Sequence, residues 1–139
     1  MKSKENPRFK LFGSGKPWEK DKSVRFAQGV VISAGPLIVL SGQVSVDEMG
    51  RDVAPGDLKA QARQAFSTIR DLLAVQGASL DQVVKLTYFV TDMSRWSEVQ
   101  AARAEFFPTH MPASTTVQVT RLNHPESMIE IEAIAAPAS

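Results

Sequence analysis

Two carboxylates near the end of the chain are the first residues whose type and spacing could do chemistry. Glu130 and Glu132 lie two apart in an apolar, β-rich run, so on a strand both side chains point to the same face. A carboxylate that lines a cleft can orient or deprotonate a water molecule. The same pair on an edge strand would be a solvent-facing stripe, because most carboxylates in proteins are exposed. The pattern alone leaves both interpretations open.

The other residue types that commonly carry chemistry are sparse. The chain has no cysteine, which excludes disulfides, thiolate nucleophiles and cysteine-based metal sites. Its two histidines, His110 and His124, stand in proline-flanked segments without a partner at ligand spacing, whereas a zinc site needs three or four converging ligands. Residues 13–16 superficially resemble a phosphate-binding loop, but Pro17 stands where that motif requires Ser or Thr. We therefore expect no metal and no other cofactor.

Length and composition predict a single soluble domain. The chain has 139 residues, of which 43% are hydrophobic and 22% are charged, as is typical of globular proteins. No apolar run approaches the roughly 20 residues that a membrane-spanning helix needs. The polar first residues lack the apolar segment of a secretory signal. We expect a cytoplasmic protein that does not contact the membrane.

Positive charge is concentrated at the beginning of the chain. Residues 1–25 hold eight basic and three acidic side chains, a net charge of +5, which leaves −4 on the rest because the whole chain carries +1. We interpret residues 1–23 as a basic N-terminal arm and residues 24–139 as the folded domain. Such an arm can contact an anionic partner or simply be solvated. Because the body has no basic face, nucleic acid is not the expected partner.

The hydrophobic pattern predicts the elements that would position a site. Apolar residues at three- and four-residue steps predict a helix that begins at Leu58, after an N-cap at Asp57, and ends before Gly77. A second helix is predicted after Ser94, and strands are predicted at 24–32, 37–40, 83–90, 114–122 and 128–135. The order β-β-α-β-α-β-β predicts a two-layer α+β sandwich with both helices on one face of the sheet. The other face is semi-polar, which favours a homo-oligomer.

Six separate segments, in order, resemble one protein family. They are residues 41–43, 77–85, 88–93, 105–107, 112–113 and 129–135, which read SGQ, GASLDQVVK, YFVTDM, EFF, PA and IEIEAIA. The chain is similar here to the Rid (reactive intermediate deaminase) family, also called the YjgF or L-PSP endoribonuclease family. The resemblance implies a chorismate-mutase-like α+β fold with a mixed β-sheet and a homotrimer. It also implies that a small molecule binds in a cleft between subunits.

The resemblance further implies a chemistry and a set of site residues. Deaminating members of the family hydrolyse imines and enamines without a cofactor. By position, Glu130 matches the glutamate that orients water, and Gly42, which follows Ser41, matches a glycine of the cleft. The remaining cleft positions differ in part from the usual family residues and are Phe26, Gln100 and Thr116.

Ser114 is the main departure from the family pattern. Deaminating members carry an arginine directly after the Pro-Ala pair, and that arginine binds the substrate carboxylate. A charged hydrogen bond of this kind contributes roughly 1.5–3 kcal/mol, so its loss implies substantially weaker binding of a 2-imino acid. Arg25, next to Phe26, could supply the missing charge, or it could be an exposed charge at the end of a strand. Alternatively, Ser114 and Thr116 could bind a substrate that has no carboxylate.

Two functions remain open at this point. The first is a divergent hydrolase, deaminase-like, that acts on an imine, an enamine or a related small molecule. The second is a non-catalytic trimer that binds a small molecule or serves as a scaffold. A ribonuclease is a third and weaker hypothesis, since only the basic arm supports it and no His or Lys constellation suited to cleaving RNA is visible.

Overall fold

A four-stranded mixed sheet forms the centre of the protein. The computed structural model describes residues 8–138. The sheet has the strand order β3-β6-β4-β5, in which β4 and β5 are parallel and the other neighbours are antiparallel. The strands are β1 (Phe9–Phe12), β2 (Gly29–Ile32), β3 (Ile38–Val39), β4 (Val83–Val90), β5 (Ala113–Gln118) and β6 (Ile129–Ala135), and the helices are α1 (Leu58–Val75) and α2 (Trp96–Phe106). Because parallel strands need a crossover connection, α2 lies between β4 and β5 in the chain.

The predicted amphipathic helix is confirmed as α1. Its apolar stripe is buried except for Leu72, which is exposed, and it packs on the sheet and on α2. The Asp57 carboxylate accepts a hydrogen bond from the Ala60 backbone N–H at 3.0 Å, as expected of an N-cap. The chain leaves the helix through Gly77, which has a φ of +69° that favours glycine. No helix within residues 8–138 is long and apolar enough to cross a membrane.

The two faces of the sheet differ in what covers them. Leu86, Tyr88 and Ile131 belong to the face under the helices and are almost completely buried. The alternating residues belong to the opposite face, which we call the open face. It carries Phe89, Glu130 and Ile134, which are half-buried, and Val39, Val117 and Glu132, which are exposed. The predicted two-layer α+β sandwich, with a mixed sheet and both helices on one face, is therefore confirmed.

The N-terminal region contains a strand that the sequence analysis did not predict. Strand β1 pairs antiparallel with β2, while β3 pairs with β6, so the two predicted N-terminal strands do not pair with each other. The Arg8 guanidinium is buried and donates hydrogen bonds to the carbonyl oxygens of Pro36 at 2.8 Å and Pro137 at 2.7 Å. Residues 8–12 of the proposed arm are thus attached to the domain, and residues 1–7 lie outside the described residues. The boundary at residue 23 stays a prediction.

Candidate functional site

Five of the eight predicted site residues line one cavity between α2 and the beginning of β5. This cavity, which we call the α2–β5 cavity, has a volume of about 330 Å³. The predicted residues that line it are Arg25, Phe26, Gln100, Ser114 and Thr116, and the others are Ser23, Tyr88, Trp96 and Arg103.

Helix, strand and loop each contribute one side of the cavity. Trp96, Gln100 and Arg103 are spaced by four and three residues on α2, so they share one helix face. Ser114 and Thr116 on β5 are in register with Leu86 and Tyr88 of β4, which places their side chains on the sheet face under the helices. The loop that carries Arg25 and Phe26 is held beside β5 because the Ala27 N–H donates to the Pro112 carbonyl oxygen at 3.3 Å.

The cavity is positively charged and lacks a carboxylate. Arg103 is 7% exposed, and its Nη1 donates a hydrogen bond to the Arg25 carbonyl oxygen at 2.8 Å. Burial lowers the pKa of Arg103 below its usual value, and the nearby positive charge of Arg25 acts in the same direction. The guanidinium nevertheless stays charged at neutral pH. Because no Asp or Glu lines the cavity, neither arginine is neutralised there.

Hydroxyl groups and aromatic rings form the rest of the lining. The Tyr88 side chain is 1% exposed, and its hydroxyl has no hydrogen-bond partner among residues 8–138. Burial raises the pKa of this phenol, so it stays protonated and remains a donor. The Trp96 ring packs edge-on against the Tyr88 ring, with 5.1 Å between centroids. Ser114 Oγ donates to the Pro112 carbonyl oxygen at 3.2 Å.

A second cavity, of about 480 Å³, adjoins the first. The two cavities share Ser23, Arg25, Gln100 and Arg103, so the two arginines stand at their boundary. The second cavity is otherwise mostly apolar, with Phe107, Pro108 and Met111 among its lining residues. No Asp or Glu lines it either.

Glu130 and Gly42 contact each other on the open face. The backbone of residues 40–43 pairs with β6 on both sides of Gly42, through Leu40 N to Ala133 O at 2.9 Å and Gln43 N to Ile131 O at 2.7 Å. This pairing has one extra residue on the side of Gly42, which is a bulge. A Cβ atom at Gly42 would lie 2.7 Å from the Glu130 Cδ atom. The glycine is therefore required for the Glu130 side chain to lie where it does.

The predicted site residues consequently form two groups on opposite faces of the sheet. Glu130 lies on the open face with Gly42 and the exposed Ser41, whereas Ser114 and Thr116 point into the α2–β5 cavity under the helices. The sheet itself separates the carboxylate from the cavity within one chain. A site that uses both groups needs a second copy of the chain.

The close contact at Gly42 gives a testable prediction. We expect Gly42→Ala to displace the Glu130 carboxylate and to lower kcat for imine hydrolysis by about tenfold or more. The free energy of unfolding should change by less than about 1 kcal/mol, since the group in the way is a side chain and not backbone. Steady-state kinetics and thermal unfolding measure the two effects. An unchanged kcat would show that the position of this carboxylate does not matter.

Four residues of the cavity were not among the predicted site residues, namely Ser23, Tyr88, Trp96 and Arg103. In the sequence, Tyr88 shares a strand face with Leu86 and Val90, and the apolar stripe that begins at Trp96 has either Arg103 or Ala102 at one position. A signal for Arg103 was present, because a charged residue in such a stripe must be buried or face a cavity. The spacing of three residues already puts Arg103 on the helix face of Gln100, but only the structure shows that this face lines the same cavity as Ser114 and Thr116.

Within the part of the chain that the structure describes, no group of three or more His, Asp or Glu side chains could hold a metal ion. The two histidines have local roles instead. His110 Nε2 donates to the Val83 carbonyl oxygen at 2.6 Å, and His124 Nδ1 contacts the Asp52 carboxylate at 3.0 Å.

Comparison with known proteins identifies relatives over most of the chain. The family model described as endoribonuclease L-PSP matches residues 19–137. A RutC family protein of Pyrococcus horikoshii is 36% identical over 104 residues, which cover 75% of this chain and 82% of the relative. The 2-iminobutanoate/2-iminopropanoate deaminase of Escherichia coli K12 is 38% identical over 113 residues, which cover 79% of this chain and 85% of the relative.

Solved structures give the same result. The Rid family protein YyfB of Yersinia pestis, described as a protein of unknown function, matches with a TM-score of 0.82 at 27% identity over 93% of this chain and 98% of that protein. The YjgF gene product of E. coli matches with a TM-score of 0.67 at 36% identity, over 80% of this chain and 87% of that protein. The six matching segments, the chorismate-mutase-like fold and these relatives agree, and the chain belongs to the Rid/YjgF family, whose model is described as endoribonuclease L-PSP.

Proposed function

We propose that this protein is a cofactor-independent hydrolase of a small imine, enamine or related electrophile, and that it acts in clefts between the subunits of a homotrimer in the cytoplasm. The observation that carries the proposal is the division of the site across the sheet. Glu130 and the α2–β5 cavity cannot meet within one chain, but a cleft between two copies can contain both. The similarity to an imine deaminase, at 38% identity, supports the same reaction class.

The reaction that such a cleft can carry out is the addition of water to a C=N bond. The Glu130 carboxylate of one subunit accepts a hydrogen bond from a water molecule and orients it toward the imine carbon. The water oxygen bonds to that carbon while the nitrogen gains a proton, which gives a carbinolamine. The C–N bond then breaks, the nitrogen leaves as ammonia, and a carbonyl compound remains. An enamine enters the same route after its carbon is protonated.

In this proposal the α2–β5 cavity of the neighbouring subunit binds and orients the substrate. Phe26 and Trp96 provide apolar walls, and Gln100, Ser114 and Thr116 provide neutral hydrogen-bonding groups. Water must be placed with the right geometry for the carboxylate to accelerate the reaction. Gly42 contributes to this geometry, because the absence of a Cβ atom lets the Glu130 side chain lie against the backbone of Gly42.

One observation favours a second candidate, a trimer that binds a small molecule without transforming it. Ser114 stands where the resemblance expects the carboxylate-binding arginine, so the customary way of holding a 2-imino acid is absent. A ribonuclease finds less support. No histidine or lysine lines the α2–β5 cavity or its neighbour, so general acid–base groups suited to RNA cleavage are absent from these cavities.

An imine-hydrolysis assay separates these candidates. 2-Iminobutanoate or 2-aminoacrylate is generated enzymatically in the assay, and the loss of the imine is followed with and without the protein. We expect the protein to accelerate the loss. If it has no effect on these or on uncharged imines, yet a ligand of the cavity binds, the non-catalytic candidate is correct. Cleavage of added RNA at moderate salt would instead support the ribonuclease.

A further inference from the structure

Arg103 is a buried charge without a counter-charge. Its side chain is 7% exposed, and the one hydrogen bond it makes with residues 8–138 goes to a neutral acceptor, the Arg25 carbonyl oxygen. No carboxylate of this part of the chain lies within ion-pair distance of its guanidinium, whereas four other arginines of the described residues each pair with a carboxylate. Buried charges are costly and are normally paired.

The surroundings of Arg103 favour an anion over any other partner. Both cavities that it lines lack Asp and Glu, and Arg25 adds a second positive charge. The Tyr88 hydroxyl, which lines the same cavity, is buried and has no hydrogen-bond partner among the described residues. The cavity thus offers the buried guanidinium, the unused phenol and the Thr116 hydroxyl as donors, together with the charge of the exposed Arg25, and no negative group lines it. An anionic ligand would satisfy all of them.

We propose that Arg103 binds the carboxylate of a small carboxylic acid in the α2–β5 cavity and so determines specificity for a substrate with that group. The proposal rests on the proposed function, since it names the substrate class of the same site. The planar guanidinium fork suits a carboxylate and can bind it through two hydrogen bonds. The expected family arginine would project from β5 at position 114. Here a guanidinium reaches the same cavity from α2, and Ser114 leaves room for it.

Binding of a stable acid and of its neutral amide tests this proposal. The full-length protein is titrated calorimetrically with 2-oxobutanoate and with 2-oxobutanamide, which have nearly the same shape but differ in charge. We expect the acid to bind at least about tenfold more tightly than the amide, since a charged hydrogen bond is about twice as strong as a neutral one. Equal binding of both compounds, or binding of neither, would overturn the proposal.

Variants then assign the preference to Arg103. Arg103→Met keeps the aliphatic stem and should remove the preference for the acid, whereas Arg103→Lys should keep part of it. Arg63→Met, which removes an exposed guanidinium on α1 that pairs with Glu105, is the matched control and should keep the full preference. If Arg103→Met keeps the preference, another group holds the carboxylate. If that variant fails to fold, the acid-to-amide binding ratio of Arg103→Lys takes its place. A ratio below that of the wild type supports the proposal, and an unchanged ratio overturns it.

A relocated arginine gives a second, independent readout. In the double variant Arg103→Met/Ser114→Arg, a guanidinium returns to the cavity from β5, and we expect the preference for the acid to return with it. A purely structural role of Arg103 would not be restored by a charge on a different element. If the acid preference depends on Arg103 but no imine is hydrolysed, the anion site stands and the proposed function fails. If an uncharged imine is hydrolysed and the acid is not preferred, the proposed function stands and the anion site at Arg103 fails.

Discussion

Glu130→Gln is expected to reduce kcat for imine hydrolysis by about a hundredfold or more while leaving the fold intact. The amide keeps the size of the side chain but is a much weaker acceptor for the proton of the attacking water, and a positioned general base typically contributes 10²- to 10⁴-fold. Stability should hardly change, because the Glu130 side chain is half-buried on the open face and forms no hydrogen bond or ion pair with residues 8–138. Steady-state kinetics and thermal unfolding of the same preparation measure both quantities.

The chain offers a close control for this experiment. Glu132 lies two residues further along β6, on the same face, and is more exposed. Glu132→Gln makes the same chemical change at a carboxylate that does not contact Gly42, so its kcat should stay within about twofold of wild type. If both variants lose activity equally, the effect comes from the charge of the open face. If neither does, Glu130 does not orient the water.

A lysine on the open face is expected to dissociate the oligomer and abolish activity. Val39 is 70% exposed on this face, next to the half-buried Ile134 with which it is in register. In a trimer whose open faces pack together, Val39→Lys would bury a charge that has no partner, which costs several kcal/mol. Each chain should still fold, because the core lies under the helices. Sedimentation velocity and circular dichroism, together with the imine assay, measure these effects.

Val75→Lys is the matched substitution on the helical layer. Val75 is 77% exposed near the end of α1, away from the open face. We expect this variant to keep the oligomeric state and the activity of the wild type. If Val39→Lys also sediments like the wild type and remains active, the open face is not the interface. A loss of circular dichroism in Val39→Lys would mean that Val39 supports the fold of the single chain.

The fold was predictable where a regular pattern coincides with burial. The stripe of α1 follows the helical period, and β4 alternates because one of its faces lies under the helices. Strand β1 was not predictable in the same way, because the charges of residues 1–25 obscured the alternation of Phe9 and Leu11 with Lys10. Its pairing with β2 is a contact between segments about twenty residues apart, which local patterns do not determine.

The site was predictable only in part, for a different physical reason. The resemblance supplied residues one position at a time, and four of them, together with Arg25, do line one cavity. It could not show that Glu130 and Ser114 lie on opposite faces of the sheet, because that depends on how β4 pairs with β5 and β6. The position of Arg103 in the cavity likewise depends on where α2 lies above β5. Both findings follow from tertiary packing and not from spacing along the chain.

Mixed oligomers test most directly whether one subunit's cavity works with the Glu130 of the next. One variant, Glu130→Gln, keeps the cavity. The other, Ser114→Trp, fills the cavity with an indole ring and keeps Glu130. Each is expected to be inactive alone. When the two chains are co-expressed with different tags and the trimers that contain both are isolated through the two tags in turn, one cleft in three combines an intact cavity with an intact carboxylate. We predict that this fraction of wild-type activity returns, and a mixed oligomer as inactive as its parents would contradict the account.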